Sequence, residues 1–122
     1  MTPRAIDCLV NVGMGDRKQP EWMHKVKDDY FKAGPAFLHS PELPELLEDM
    51  DANGVERAIL LTGLPRKRRD EGDDSPPALD RARRFVAERP DRFRLGVGGF
   101  DLLRPMPTVR ALESFVRDNP VA

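Results

Sequence analysis

The 122-residue chain predicts an α/β fold built on a parallel sheet. Two observations carry this. Short apolar runs at 5–12, 57–62 and 93–97 alternate with segments whose apolar residues recur at helical spacing. The middle run, Ala58-Ile59-Leu60-Leu61, is continuous, as a strand covered on both faces requires. Strand–helix–strand connections of this kind are right-handed crossovers that bring successive strands parallel.

The first run alternates Ile6, Cys8, Val10 and Val12 with Asp7, Leu9 and Asn11. Leu9 breaks the polar phase, so cover on both faces is expected, and Cys8 reads as an inert core thiol. Gly13-Met14-Gly15-Asp16 follows as a turn. Two glycines alone do not make a dinucleotide fingerprint, which needs a third glycine and an immediate helix. Instead an insertion spans about 13–40, longer than the usual connection. Within it, residues 21–32 suit a short helix, with Trp22, Val26 and Tyr30 four apart on one face. This insertion either builds a pocket or partner contact, or is pinned to the body by Trp22 and Tyr30.

Ser40-Pro41-Glu42 is a helix start: a capping serine, a proline at the first position, an acid at the positive end of the dipole. Leu46, Leu47 and Met50 give its apolar stripe, and Asn53-Gly54 ends it, since glycine takes the left-handed conformation of a C-terminal cap. After the second strand, about 63–77 lacks periodicity and reads as a mobile charged loop. There Arg66-Lys67-Arg68-Arg69 is followed at once by Asp70-Glu71-Gly72-Asp73-Asp74, and the two fields cancel within a Debye length. The next helix carries Leu79, Ala82, Phe85 and Val86 on one stripe. Gly96, Gly98 and Gly99 allow close backbone approach along and after the third strand. The last helix starts at Pro107 or Thr108, presents Val109, Leu112, Phe115 and Val116, and breaks at Asn119-Pro120. Val121-Ala122 reads as the first step of another strand. Three strands leave edges and apolar surface uncovered, so the expectation is either the first part of a larger α/β unit or a chain that associates.

Composition narrows the partners. A formal net charge of −1 offers no field for nucleic acid or an anionic membrane, so neither is expected. A single cysteine excludes an intrachain disulfide and suits a reducing cytoplasm, and a cytoplasmic location is the expectation. The first residues lack the apolar core and cleavage site of a signal peptide, and no run reaches membrane-spanning length.

Three stretches together carry a family resemblance. They are Ile6-Asp7, the segment Leu46-Leu47-Glu48-Asp49-Met50-Asp51-Ala52-Asn53-Gly54-Val55-Glu56-Arg57-Ala58-Ile59-Leu60-Leu61, and Arg89-Pro90-Asp91-Arg92-Phe93-Arg94-Leu95-Gly96. In combination they resemble the amidohydrolase-related family of metal-dependent TIM-barrel hydrolases and non-oxidative decarboxylases. The resemblance implies the first three βα units of a (β/α)8 barrel, with residues 1–122 as its N-terminal portion and the long helical insertion after strand 1. A barrel of this type runs to about 250 residues. The implied activity is hydrolysis or decarboxylation of a small carboxylated or aromatic substrate by the complete barrel. The alternative is a non-catalytic barrel fragment or binding subunit that associates with a partner or with itself. The implied partners are a small-molecule substrate and either the rest of a barrel or a second copy.

The family binds a divalent metal such as zinc through Asp-x-His-x-His on strand 1. After Asp7 the matching positions hold Leu9 and Asn11. Leucine cannot ligate, and an amide oxygen is a poor zinc ligand, so no metal or other cofactor is predicted for this chain. His24 and His39 are the only histidines, fifteen positions apart, without other ligands at metal spacing. The acidic run at 70–74 lacks a calcium-loop pattern. In a parallel βα series, ligands bind at the carboxyl ends of the strands. That places Asn11, Thr62 and Asp101, with His24 and His39 from the insertion, as candidate substrate-binding residues suited to a carboxylate or hydroxyl group.

Overall fold

The strand Val55–Gly63 is the centre of a three-stranded, all-parallel sheet in the computed structural model, which describes residues 4–13, 18–63, 77–98 and 102–122. Its neighbours are β1 (Ala5–Val10) and β3 (Phe93–Gly98), so with Val55–Gly63 as β2 the order is β1-β2-β3. The helices are α1 (Glu21–Lys25), α2 (Leu43–Ala52), α3 (Pro77–Glu88) and α4 (Pro105–Asp118). The chain is therefore α/β, with parallel strands in consecutive order. Beyond β3, Leu95 makes an isolated parallel bridge to Val121, with Leu95 N–H donating to the Pro120 carbonyl and Ala122 N–H to the Leu95 carbonyl. A fourth parallel position thus begins on the far edge of β3. Most of the charged loop at 63–77, together with Gly99 and Asp101, lies outside the described residues.

Period-two alternation in β2 decides which face is buried. Ala58, Leu60 and Thr62 point into the core. They meet Phe93 and Leu95 of β3 and the helix residues Leu46, Met50, Leu79, Ala82, Phe85 and Phe115. Register pairs Ile6 with Arg57, Ile59 with Arg94 and Leu61 with Gly96, so these six share the opposite face. Ile59 and Leu61 stay partly exposed there, and Ile6 is 61% exposed. Among the described residues, the helices cover one side of the sheet and no element covers the other. Among the described residues, no helix is long and apolar enough to cross a membrane.

Several local expectations need correction. β1 is exposed along nearly its whole length, and Cys8 with it, because no described element covers the strand's outer side. Its register slips between Asp7 and Val10, and the Leu9 N–H donates to Asp7 Oδ1 at 3.0 Å. The helix expected over 21–32 is α-helical only to Lys25 and continues as one π-helical turn, Val26–Tyr30, closed at Lys32 with φ 49°. Trp22 and Tyr30 are 60% and 80% exposed, so they do not pin the insertion to the body. The cap of α2 is Glu42, not Ser40. Starting there puts Pro44 in the first turn, where its missing N–H leaves no bond unmade. Gly54, at φ 70°, ends α2 as its sequence predicts.

Side chains fasten the amino-terminal ends of the strands. Arg92 donates from Nε to the Glu56 carbonyl at 2.7 Å, and from Nη2 to the Val55 carbonyl at 3.1 Å and to Asp51 Oδ1 at 2.7 Å. One guanidinium thereby holds the end of α2 and the start of β2 against β3. At the other end of α2, Glu42 accepts from Arg81 at 2.7 Å and from Arg84 at 3.1 Å, one turn apart on α3.

After β1 the chain dives inward. Val12 is fully buried, and a Cβ built on Gly13 would lie 2.3 Å from the Ala78 Cβ in the first turn of α3. Only glycine lets the backbone approach that closely. Gly13→Ala should therefore lower unfolding free energy by about 1–3 kcal/mol, the usual cost of overpacking. Gly34→Ala, where a Cβ meets nothing within 4 Å, should leave the urea midpoint unchanged. Equal midpoints for the two variants would contradict this packing.

Candidate functional site

β1 ends at Val10, and Asn11 follows it at the carboxyl edge of the sheet. The insertion returns to this edge through a 3-10 turn, Pro35–Leu38, and then leads into α2. Between them lies a groove of about 350 Å³. It is lined by Asn11 after β1, by Phe37 and His39 of the returning insertion, and by Glu45, Leu46 and Asp49 of α2.

The polar centre of the groove is a histidine–carboxylate pair. His39 Nε2 and Glu45 Oε2 are 3.0 Å apart. The same carboxylate oxygen accepts the Glu42 N–H at 3.4 Å, the return half of a capping box at the start of α2. The hydrogen bond from His39 is the main cause that holds the Glu45 carboxyl below the usual carboxylate range, against a smaller opposing effect of desolvation. Both side chains are about half exposed, 52% and 51%, so the pair adds little to stability. Its consequence is geometric: one imidazole nitrogen is engaged by Glu45 and Nδ1 is left for another partner.

The structure brings two of the five sequence-predicted residues together, Asn11 and His39. His24 lies exposed on α1 and does not line the groove. Thr62 is buried, and its hydroxyl donates to the Gly96 carbonyl at 3.0 Å, on the helix-facing side of β2. Asp101 falls outside the described residues. Glu45 and Asp49 join the groove without having been singled out in the sequence. The spacing Glu42-x-x-Glu45 carried the signal: with the cap at Glu42, residue 45 is the third helical position and faces back along the chain.

The donor set does not fit the divalent metal of the resembled family. Leu9 offers no ligand atom, Asn11 only an amide, and the described residues hold no group of three His, Cys, Asp or Glu side chains that could bind an ion. The groove instead gathers an imidazole held by one carboxylate, a second carboxylate and an amide beside an aromatic ring. No family model matches the chain, and no curated protein or solved structure was found to be similar to it.

The titration of Glu45 tests the geometry. Its folded-state carboxyl sits below its unfolded value, so the stabilisation is present above the unfolded value and is lost as pH falls through the folded one. Carboxyl-detected NMR should show Glu45 titrating lower than an ordinary glutamate, and His39→Ala should move it up. An unmoved Glu45 would mean that the pair does not form in solution.

Proposed function

We propose that the chain is a portion of an amidohydrolase-related barrel that hydrolyses or decarboxylates a small carboxylated or aromatic compound. The observation that supports this reading most is the strand order. A doubly wound sheet reverses direction after its first strands, as in 3-2-1-4. Here the order is β1-β2-β3, and Val121 begins the next position beyond β3, with helices on one face only. Consecutive parallel order with one covered face is what a closing barrel needs, since closure buries the other face. The resemblance over Leu46–Ala58 and Pro90–Phe93 points the same way.

In this reading the reaction takes place at the carboxyl edge, in the groove of Asn11 and His39. His39, oriented by Glu45, takes a proton from water or returns one to the leaving group through Nδ1. The Asn11 amide donates a hydrogen bond to the substrate oxygen on which charge develops. Phe37 gives an aromatic body a surface to pack on. No step runs through a metal, because the donor set does not fit one. The test is a panel of aryl esters, amides, lactones and aromatic carboxylic acids, scored for hydrolysis and for carbon dioxide release. Turnover of at least one member, reduced about 100-fold or more by His39→Gln, is expected. No turnover, or turnover indifferent to His39, would overturn the proposal.

A second reading has its own support. Ile6, Ile59 and Leu61 leave an apolar strip on the uncovered face, which suits a binding subunit that works only in association. Sedimentation across a concentration series should then show self-association. A monodisperse monomer with a sharp cooperative melt would rule this reading out.

A further inference from the structure

The groove at the carboxyl edge holds more negative charge than its histidine offsets. Glu45 and Asp49 are four apart on α2, so the regular helix turns both carboxylates to the same side, and both line the groove. Glu45 is engaged by His39, and that bond keeps its carboxyl ionised below the usual range. Asp49 is placed differently. Its backbone carbonyl accepts from Asn53, but among the described residues its carboxylate has no hydrogen bond and no ion-pair partner. No described lysine or arginine lines the groove. With His39 neutral, the lining carries the charge of two carboxylates, and protonation of His39 offsets only one of them. The positive end of the α2 dipole would favour an anion, but the Glu42–Glu45 capping box already occupies it, and Asp49 lies a turn further on.

We propose that this groove selects an aromatic compound bearing a protonated nitrogen, with Asp49 as the residue that sets the preference. The inference rests on the reaction proposed above for the place of the site, and it narrows the substrate class: a carboxylated compound would meet two carboxylates. Like charges one turn apart on a helix repel, and a cation held beside them relieves that repulsion. Phe37 packs on an aromatic body, and an ammonium close to its ring gains cation–π attraction. The volume of about 350 Å³ suits a single ring with a short arm.

The probe is benzylammonium chloride, titrated near neutral pH into the ¹⁵N-labelled chain and followed through backbone amide shifts. Benzyl alcohol and sodium benzoate are the comparators, with the same ring and a different charge. Benzylammonium should saturate, shifting Asn11, Phe37, His39 and residues 45–49, and benzoate should bind about tenfold or more weakly. Added salt should weaken benzylammonium and leave benzyl alcohol unchanged. Asp49→Asn should lower benzylammonium affinity about threefold or more, and Asp49→Glu, which keeps the charge, should retain most of it. Glu48→Gln removes the same charge from a neighbour that does not line the groove, and should change nothing. Asp49 is exposed, so its variants should keep the parent melting curve. No saturation by benzylammonium, or benzoate or benzyl alcohol binding as tightly, overturns the substrate class. Affinity unchanged in Asp49→Asn, or lowered equally by Glu48→Gln, overturns the role of Asp49. The reaction is judged apart from this. Saturation by benzylammonium without turnover of any compound in the panel keeps the charge preference and overturns the chemistry. Turnover that benzoate inhibits more strongly than benzylammonium does the reverse.

Discussion

The structure depends on the double coverage of β2. It is the central strand of the sheet, laddered to β1 on one edge and β3 on the other, and Ala58, Leu60 and Thr62 form the layer on which α2, α3 and α4 gather their apolar residues. Leu60 is fully buried between Phe85, Phe93 and the helix stripes, in a core where truncation of a large apolar side chain costs about 2–5 kcal/mol. Since β2 is parallel to both neighbours, each connection must cross the same face. The helices therefore cannot divide themselves between the two sides while the strands stay in consecutive order. The one-sided sheet follows from the strand order, and the open face of Ile6, Ile59, Leu61, Arg57 and Arg94 follows from the one-sided sheet.

The two ends of the sheet are built differently. At the amino-terminal end, long arginine side chains tie backbone carbonyls together, as Arg92 does for Val55 and Glu56, and this fixes where β2 and β3 begin relative to each other. This gives the Pro90-Asp91-Arg92-Phe93 element a structural reason: Pro90 stops the helix before it, Asp91 engages Arg89, Arg92 staples, and Phe93 enters the core. At the carboxyl end the described residues show no comparable staple. The groove walls come from the end of β1, a 3-10 turn with the short loop after it, and the first turns of α2, held by capping and by the His39–Glu45 pair. Rigid support below and adaptable segments above is the arrangement that βα proteins use for ligand binding.

Much of the fold was legible because it rests on periodicity. The apolar stripe of α3, the continuous run in β2, the Asn53-Gly54 stop and the strand-like Val121 all follow from local pattern. What escaped depends on long-range packing. The exposure of Cys8 and Leu9 could not be read from their apolar character, because nothing in the strand itself says which element covers it. The inward turn of Thr62 depended on the phase of β2 relative to the helices, which a continuous apolar run does not reveal. Of the candidate site, Asn11 came from its place at the end of β1 and His39 from the insertion that leaves that end, whereas Glu45 and Asp49 needed the true start of α2. The two-residue difference between Ser40 and Glu42 as cap decides which acid faces the histidine.

The slip of register in β1 has a consequence for how the chain behaves in a crowded solution. A free strand edge with Ile6 and Leu9 beside it is a template on which another chain could add strand after strand. Here the Leu9 N–H is already taken by the Asp7 carboxylate, and the pairing shifts at the same place. One backbone donor of this strand is therefore not available to an incoming chain. Asp7 thus commits one backbone donor of β1 within the chain, at the place where the ladder with β2 shifts.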